Sequence, residues 1–361
     1  MVNEKEILKK LEEGGVSLPP LEIRLSSRDN GPSKAEVDAI IEVSWGEQQE
    51  EFAVEFKAQS TPKILSEVIY KIKTAARDMG RSPMIIVPYL DEDALKVLER
   101  QGVSGLDLCG NGIVVVPDRL FVYRTGNFNQ FPSSAPIKNI YRKNTSMVAR
   151  LFLVRPRFNL VKEIMEEINR RNRYEVWAEQ GMALSTVSKA LKGLQDDLIV
   201  GQKDSKFKLL QAEKLLDRLS KNYVEPKVGQ TINWRVPSGR GESKELLKDA
   251  FLSRIPAVVT GIGSVSRYAV MQSPDTLRIY SPDPKQWLAG FPGTQTDRFP
   301  TLLVIQTEDA SVYFDARDDE GIVWASPIQT YLELMKGDKR DQETAIQVKD
   351  LILRRLREEP L

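Results

Sequence analysis

Three side chains suited to phosphoryl chemistry stand at corresponding ends of two neighbouring segments. Asp38 begins one segment of alternating polar and apolar residues, and Glu55 and Lys57 end the next. This alternation predicts two half-buried β-strands. With Gly46 and Glu47 as a two-residue hairpin turn, Asp38 lies directly opposite Glu55.

Two carboxylates opposed in this way lie about 5 Å apart at Cβ and repel each other unless a cation lies between them. Mg²⁺ prefers oxygen ligands and keeps several waters, so Asp38, Glu55 and a substrate phosphate are sufficient ligands. The ion activates a water and stabilises phosphoryl charge, and Lys57 orients the nucleophile or neutralises the developing anion. The predicted catalytic residues are therefore Asp38, Glu55 and Lys57, with Mg²⁺ on the two acids. The alternative is an ordinary surface, with Lys57 paired to Glu36 across the hairpin and the acids solvated.

The order of these residues resembles a nuclease signature. Asp38 followed by Glu55-Phe56-Lys57 is similar to the D…ExK motif of the PD-(D/E)xK superfamily, which includes restriction enzymes and archaeal Holliday-junction resolvases. The predicted flanking elements are a helix from Glu4 to Glu13, a helix from Pro62 to Met79 and a strand from Met84 to Pro88. The resemblance implies a restriction-endonuclease-like α/β domain over residues 1–116, with Glu4 or Glu6 as an additional helical glutamate at the site.

Composition restricts the chemistry further. The 361 residues predict two or three domains, and 41% hydrophobic with 29% charged residues is typical of a soluble globular protein. The charged start MVNEKEILKK and the lack of a long apolar run predict neither a signal peptide nor a membrane span, so a cytoplasmic location is expected. The chain has no histidine and one cysteine, Cys109. This excludes histidine-dependent catalysis, an intramolecular disulfide and multi-cysteine zinc sites, leaving carboxylates and lysine.

A second pattern lies between Thr145 and Tyr223. A short helix EVWAEQG, a turn at Gly181 and a helix LSTVSKALKGLQ, with its N-cap at Leu184 or Ser185, follow the order of a helix-turn-helix. The next segment, LIVGQKDSKFKLL, predicts a β-hairpin, called the wing below. In such modules hydroxyl side chains approach base edges and lysines neutralise phosphates. The predicted DNA contacts are Ser185, Thr186, Ser188, Lys189, Lys192, Lys203 and Lys206.

The distribution of charge agrees with this prediction. Residues 141–223 contain 17 Lys and Arg against 10 Asp and Glu, a local balance of +7, whereas the remainder of the chain carries −6. A basic module in an otherwise acidic chain predicts duplex DNA as partner. Winged helices also bind proteins, so a protein-interaction role stays open.

Two further regions complete the chain. Residues 117–144 are rich in Gly, Asn, Ser and Pro and are predicted to be a linker. Residues 224–361 predict an α+β domain, with AVVTGIGSVSRYA as a strand turning into another and SVYFDA as a further strand. The turn from Gly261 to Ser264 either packs a helix closely on a strand or accepts an anion.

Five stretches occur in the order seen in AbiEi-type proteins, the antitoxin-like transcriptional regulators of type IV toxin-antitoxin systems. They are SMVARLFLVRP, LSTVSKALKGLQDDLIV, AEKLLDRLSKNY, AVVTGIGSVSRYA and WASPIQTYLELMKGDKRDQETA. The resemblance covers about residues 145–361. It implies a winged helix on promoter DNA, a nucleotidyltransferase-like C-terminal domain and a cognate toxin protein as partner. A working nucleotidyltransferase needs two closely spaced aspartates after Gly263-Ser264, and LRIYSPD supplies only Asp283, so nucleotidyl transfer is not expected.

The sequence thus predicts a multidomain α/β and α+β protein. Its predicted parts are a nuclease-like domain (1–116), a linker (117–144), a winged helix-turn-helix (145–223) and an AbiEi-like α+β domain (224–361). The leading functional prediction is a DNA-binding transcriptional regulator. The alternatives are a Mg²⁺-dependent DNA endonuclease and a non-catalytic protein-interaction scaffold.

Overall fold

The computed structural model shows a chain that mixes helices and sheets in two compact units. Unit 1 comprises residues 1–138 and unit 2 comprises residues 139–361. The structure describes residues 2–28, 37–131, 139–172, 181–237, 240–252, 255–270 and 276–358, without the side chains of residues 240–244. The predicted division into four parts is finer than this, and within unit 2 residues from both 145–223 and 224–361 share one hydrophobic core.

Unit 1 is built on a seven-stranded sheet whose strands lie in the order of the sequence. The strands are β1 (Glu22–Arg28), β2 (Ala39–Trp45), β3 (Gln48–Phe56), β4 (Ser82–Val87), β5 (Ser104–Asp107), β6 (Gly112–Val116) and β7 (Leu120–Arg124). The helices are α1 (Glu4–Glu12), α2 (Pro62–Asp78) and α3 (Glu92–Gln101). Strands β3, β4 and β5 are parallel, and the outer pairs are antiparallel.

The predicted helices α1 and α2 and the predicted strands β2, β3 and β4 are all present, but β7 was not predicted. It lies inside the segment 117–144 that was expected to be a linker. The Gly- and Pro-rich residues around it dominated the prediction, whereas Leu120 and Val122 pack against the core and extend the sheet by one strand. The linker prediction is therefore wrong for Leu120–Arg124.

The helices of unit 1 begin at recognisable caps. Asn3 and Glu6 form a reciprocal capping box at the start of α1. The Thr61 hydroxyl caps α2, whose first residue is Pro62, and the Asp91 carboxylate caps α3. These caps set the residues at which the three helices begin.

The sheet of unit 1 is buried on both faces. Phe52, Val54 and Phe56 of β3 belong to a core shared with α1, whereas Ala53 belongs to a core shared with α2 and α3. Because side chains alternate along a strand, Glu55 lies on the same face as Ala53. The glutamate is therefore placed against α2.

Unit 2 contains a three-stranded sheet and a seven-stranded sheet. The first has the order β8-β10-β9, from β8 (Arg157–Phe158), β9 (Val200–Lys203) and β10 (Lys206–Leu209). The second has the order β14-β11-β15-β13-β12-β17-β16, from β11 (Thr231–Arg235), β12 (Val258–Val259), β13 (Leu277–Ser281), β14 (Thr294–Gln295), β15 (Leu302–Gln306), β16 (Arg317–Asp319) and β17 (Ile322–Trp324). The helices are α4 (Ser146–Phe152), α5 (Val161–Arg171), α6 (Leu184–Asp196), α7 (Ala212–Asn222), α8 (Arg240–Phe251), α9 (Pro284–Trp287), α10 (Ala310–Tyr313), α11 (Pro327–Leu334) and α12 (Lys339–Glu358).

Two predicted strands of unit 2 are wrong. The first three residues of SVYFDA, Ser311 to Tyr313, belong to α10, which Asp309 caps by accepting a hydrogen bond from the Ser311 N–H. The residues after the turn at Gly261 form a short 3₁₀ helix, Val265–Arg267, in place of a second strand. In both cases a local cap or turn outweighs the β-propensity of the apolar residues.

Candidate functional site

The predicted hairpin register is confirmed. Trp45 pairs with Gln48 and Ala39 with Val54, so the turn consists of Gly46 and Glu47. Gly46 has φ +58°, a left-handed conformation that glycine adopts without strain.

Asp38 immediately precedes β2, and the paired residues of the hairpin begin after it, with Ala39 opposite Val54. The predicted direct pairing of Asp38 with Glu55 is not among these pairs. Its backbone N–H donates to the Val54 carbonyl at 2.9 Å, and its carboxylate accepts a hydrogen bond from the Phe56 N–H at 2.7 Å. The side chain therefore lies at the end of β3, next to Glu55.

Five charged side chains meet at this end of β3 and are called the charged cluster below: Glu4, Asp38, Glu55, Lys57 and Lys71. Glu55 is 3% exposed. Its carboxylate lies 2.9 Å from the Lys57 Nζ and accepts hydrogen bonds at 2.9 and 3.0 Å from the Lys71 Nζ. Lys57 also donates to Glu4 at 3.1 Å. The structure thus brings the three predicted catalytic residues together.

Lys71 is the member that sequence reasoning missed. It lies on α2, sixteen residues after Glu55, and reaches the carboxylate only because that helix packs on β3. A lysine next to the buried Ile72 on an amphipathic helix is an ordinary surface residue in the sequence, so no local pattern marked it. Two cations therefore neutralise one buried acid.

The other predicted partners of the site are Glu4, Glu6 and Glu36, and the structure supports Glu4. Glu4 contacts Lys57, whereas the Glu6 carboxylate accepts a hydrogen bond from the Asn3 N–H at 2.9 Å in the cap of α1. The proposed Lys57 to Glu36 pair involves a residue outside the described part of the chain. Of the two helical glutamates, only Glu4 belongs to the charged cluster.

Within the charged cluster, the pKa values of Asp38 and Lys57 are both raised, but for different reasons. Loss of surrounding water raises the pKa of Asp38, with the nearby charges of Glu55 and Glu4 adding to this, while the Phe56 N–H and Lys57 oppose it. Burial acts to lower the pKa of Lys57, but its hydrogen bonds and charge interactions with Glu55 and Glu4 outweigh burial and raise it. Lys57 is accordingly a firmly protonated ammonium, and Asp38 is an acid whose charge a further cation would stabilise.

The fit of this site to Mg²⁺ rests on Asp38 and Glu55. Within the described ranges, no group of three or more His, Cys, Asp or Glu side chains is arranged to hold a metal. Mg²⁺ is commonly bound through one or two carboxylates, with waters and substrate oxygens completing its shell, so two acids are enough. The Lys71 ammonium group already donates hydrogen bonds to both oxygens of the Glu55 carboxylate. A metal ion that binds Glu55 therefore competes with this ammonium group.

The second predicted site lies on α6. Ser185, Ser188, Lys189 and Lys192 are exposed and spaced as one stripe along the helix, whereas Thr186 is half-buried. The opposite face packs into the core through Val187, Ala190, Leu191 and Leu194. The predicted N-cap at Leu184 or Ser185 is wrong, because Ala183 holds that position without a side-chain hydrogen bond. The predicted first helix, EVWAEQG, lies almost entirely outside the described residues.

The wing is present as β9 and β10. Its turn consists of Asp204 and Ser205, both with positive φ, +49° and +64°. Lys203 and Lys206 pair directly with each other across the hairpin and are exposed. Of the charged side chains that the structure describes, none forms an ion pair with either lysine.

A scan against protein-family models and searches of curated proteins and solved structures found no match to this chain. In the part of the chain that the structure describes, no helix is long and apolar enough to cross a membrane.

The turn from Gly261 to Ser264 is occupied by the chain's own carboxylate. The Ile262 N–H donates to Glu333 Oε2 at 3.0 Å, and a Cβ on Gly261 would lie 2.9 Å from the Gln329 carbonyl oxygen of α11. Close packing is thus realised, and the Glu333 carboxyl group, whose pKa is raised by burial, accepts the hydrogen bond that an external anion would otherwise take. Asp283 caps α9 by accepting from the Gln286 N–H.

Proposed function

We propose that this protein binds duplex DNA through α6 and the wing. The observation that carries the proposal is the direct opposition of Lys203 and Lys206, exposed and without an anionic partner among the described residues. Like charges directly opposed across two strands are destabilising, and a phosphate placed between them removes that repulsion.

The helix α6 supplies the complementary contacts. Lys189 and Lys192 lie on the same exposed stripe as Ser185 and Ser188, so phosphate contacts and base-edge contacts fall on one face. Thr186 lies at the margin of that stripe. Hydroxyl groups discriminate bases only weakly, and α6 has no arginine for bidentate recognition of guanine. We infer that contacts with the phosphate backbone of the DNA contribute most of the affinity.

This proposal is tested by the salt dependence of DNA binding. Fluorescence anisotropy with a labelled duplex measures the binding constant K at several salt concentrations. The plot of log K against log salt has a negative slope, and its magnitude decreases by about 0.9 for each phosphate contact removed. The double variants Lys189→Ala/Lys192→Ala and Lys203→Ala/Lys206→Ala are each expected to reduce the slope by about 1.8. The control is Lys285→Ala, an exposed lysine on α9. Slopes that match this control in both double variants would refute the proposal.

The similarity to AbiEi-type regulators extends this proposal to transcription. If the bound DNA is the promoter of the protein's own operon, the chain represses its own synthesis, and a cognate toxin protein is the expected partner of unit 2. A reporter driven by that promoter, compared with and without Lys189→Ala/Lys192→Ala, measures this. Equal repression by both proteins contradicts regulation through Lys189 and Lys192, and a lack of repression by the unchanged protein contradicts the regulatory role.

A second function is favoured by the charged cluster of unit 1. Asp38, Glu55 and Lys57 converge at the end of β3, within elements that follow the order αβββαβ from α1 to β4. We propose a Mg²⁺-dependent DNA endonuclease site in which Asp38 and Glu55 hold the ion. When bound, Mg²⁺ supplies an activated water and neutralises phosphate charge. Lys57 holds a fixed positive charge 2.9 Å from the Glu55 carboxylate, where it stabilises an anionic transition state.

Cleavage assays test this second function. Duplex, single-stranded and branched DNA are incubated with and without Mg²⁺, using the unchanged protein and the variants Asp38→Asn and Lys57→Met. Both substitutions are expected to abolish cutting. The matched control is Glu42→Gln, which changes an acid on β2 that is opposed to Glu51 but lies outside the charged cluster. Cutting that persists in both cluster variants rejects the site.

A further inference from the structure

The three-stranded sheet of unit 2 carries more positive charge than the wing tip alone. On β10, Lys206 and Lys208 alternate with the buried Phe207 and Leu209, so both lysines lie on the exposed face of the sheet. Strand β8 lies along the other edge of β10 and adds Arg157. The basic face, as we call it, consists of Arg157, Lys203, Lys206 and Lys208.

The register turns the basic face into two rows of like charge. Lys206 pairs directly with Lys203, and Lys208 pairs directly with Arg157. All four side chains are exposed, and each lacks an acidic partner in the described part of the chain. Each row is destabilising by itself. Two consecutive repulsive rows on one face indicate a surface shaped for an extended anion.

The basic face continues into a cleft of about 1080 Å³. Arg157 and Lys208 belong to its wall, together with the cations Arg155, Lys214 and Arg357 and the acids Glu213 and Asp217. Asp217 is paired with Lys349 at 3.0 Å, and Arg155 is paired with Glu163. The net charge of the cleft is therefore positive.

We propose that the cleft binds a second stretch of the DNA backbone, beyond the segment held by α6 and the wing. This deepens the proposed DNA-binding function and rests on it. The binding class is a nucleic acid phosphodiester chain, with Arg157 and Lys208 as its principal contacts.

The spacing of the rows also fits the backbone of a nucleic acid. Residues two apart on a strand are separated by about 6.8 Å. A strand of B-DNA advances about 3.4 Å along the axis per phosphate and also winds around it, so neighbouring phosphates are farther apart than 3.4 Å and approach the spacing of the rows. The continuity from the wing tip to the cleft supplies a path for a single uninterrupted polyanion.

The experiment measures the slope of log K against log salt for binding to a duplex of about 30 base pairs, roughly three helical turns. It compares this slope among four versions of the 361-residue chain. These are the unchanged protein, Arg157→Ala/Lys208→Ala, Lys189→Ala/Lys192→Ala, and the control Lys227→Ala/Lys285→Ala. The control removes the same charge at exposed lysines outside the cleft. The cleft variant is expected to lower the slope by about 1.8, as two lost phosphate contacts require, and the control to leave it nearly unchanged.

The outcomes separate the two proposals. A cleft variant whose slope equals that of the control overturns the cleft inference, while a lower slope in the α6 variant alone leaves the proposed function standing. A lower slope in the cleft variant alone supports the cleft and refutes binding by α6. A poly-glutamate probe that binds the unchanged protein but not the cleft variant, with the duplex slope intact, assigns the cleft to acidic proteins and overturns the inference. Absence of duplex binding by the unchanged protein overturns both.

Discussion

Replacing Lys71 with methionine tests whether two cations are needed to hold the buried Glu55 carboxylate. Methionine keeps most of the apolar stem of lysine and removes only the ammonium group. The control on the same helix is Lys63→Met, which changes an exposed lysine outside the charged cluster. The difference between these two variants isolates the contribution of the ammonium to Glu55.

The magnitude follows from the exposure of the two partners. The Glu55 side chain is 4% exposed and that of Lys71 is 50% exposed. Exposed ion pairs contribute about 0.2–1 kcal/mol, whereas removing one partner of a fully buried pair costs about 3–5 kcal/mol. Since Lys71 is half exposed and Lys57 still neutralises part of the charge, we expect a loss of about 1.5 kcal/mol. That loss corresponds to a roughly tenfold larger equilibrium constant for local opening, because 1.4 kcal/mol is a factor of ten. Amide exchange through that opening is then faster by the same factor.

Amide hydrogen exchange of peptides covering β3, followed by mass spectrometry, is the assay. It reports the local stability of unit 1 without requiring both units to unfold together. Exchange in Lys71→Met no faster than in Lys63→Met would refute the idea that Lys71 stabilises a buried acid. Added Mg²⁺ extends the test: at ten times its Kd the ion stabilises its binding state by about 1.4 kcal/mol. Mg²⁺ should therefore slow exchange in Lys71→Met more than in the unchanged protein, because the competing ammonium is gone.

Three further predictions concern pH, packing and the wing. The raised pKa of Asp38 means that the folded state holds this proton more tightly than the unfolded chain, so stability falls as pH rises from the ordinary value of 3.8 through the raised one. Asp38→Asn removes that loss, and denaturation at several pH values should show the variant gaining stability relative to the unchanged protein across this window. Gly105→Ala places a Cβ 2.3 Å from Leu98 Cδ1 and should cost about 1–3 kcal/mol by urea unfolding, whereas an unchanged midpoint would contradict the close packing of α3 on β5. Ser205→Gly relieves a positive φ of +64° in the wing turn and should stabilise unit 2 by about 1 kcal/mol in thermal unfolding with no change in the DNA salt slope.

Local chemistry made much of this fold predictable. The hairpin register followed from one glycine turn and the alternation of apolar residues, and α1 and α2 lie close to the predicted ranges Glu4–Glu13 and Pro62–Met79. The helix α6 and the wing followed from helical periodicity and a polar turn. In each case a few neighbouring residues contain the determining interactions.

The errors arose where neighbouring residues compete. The strand expected in SVYFDA became α10 because the Asp309 carboxylate caps its N-terminus, and β7 was hidden by the Gly- and Pro-rich residues around it. These outcomes depend on specific contacts, which the spacing of apolar residues along a strand or a helix does not reveal.

By itself the sequence determined which acids and amines are available, since the lack of histidine leaves carboxylates and lysine as the main titratable groups, and it set the hairpin register that pairs Ala39 with Val54. Only the tertiary structure decided that Lys71 would neutralise Glu55, because the packing of α2 on β3 brings together residues sixteen positions apart. It likewise decided that Arg157 would face Lys208, fifty-one residues away in the chain, through the pairing of β8 with β10. Charge type is a property of each residue, whereas the Coulomb energy between two charges depends on a distance that the chain acquires only when it folds.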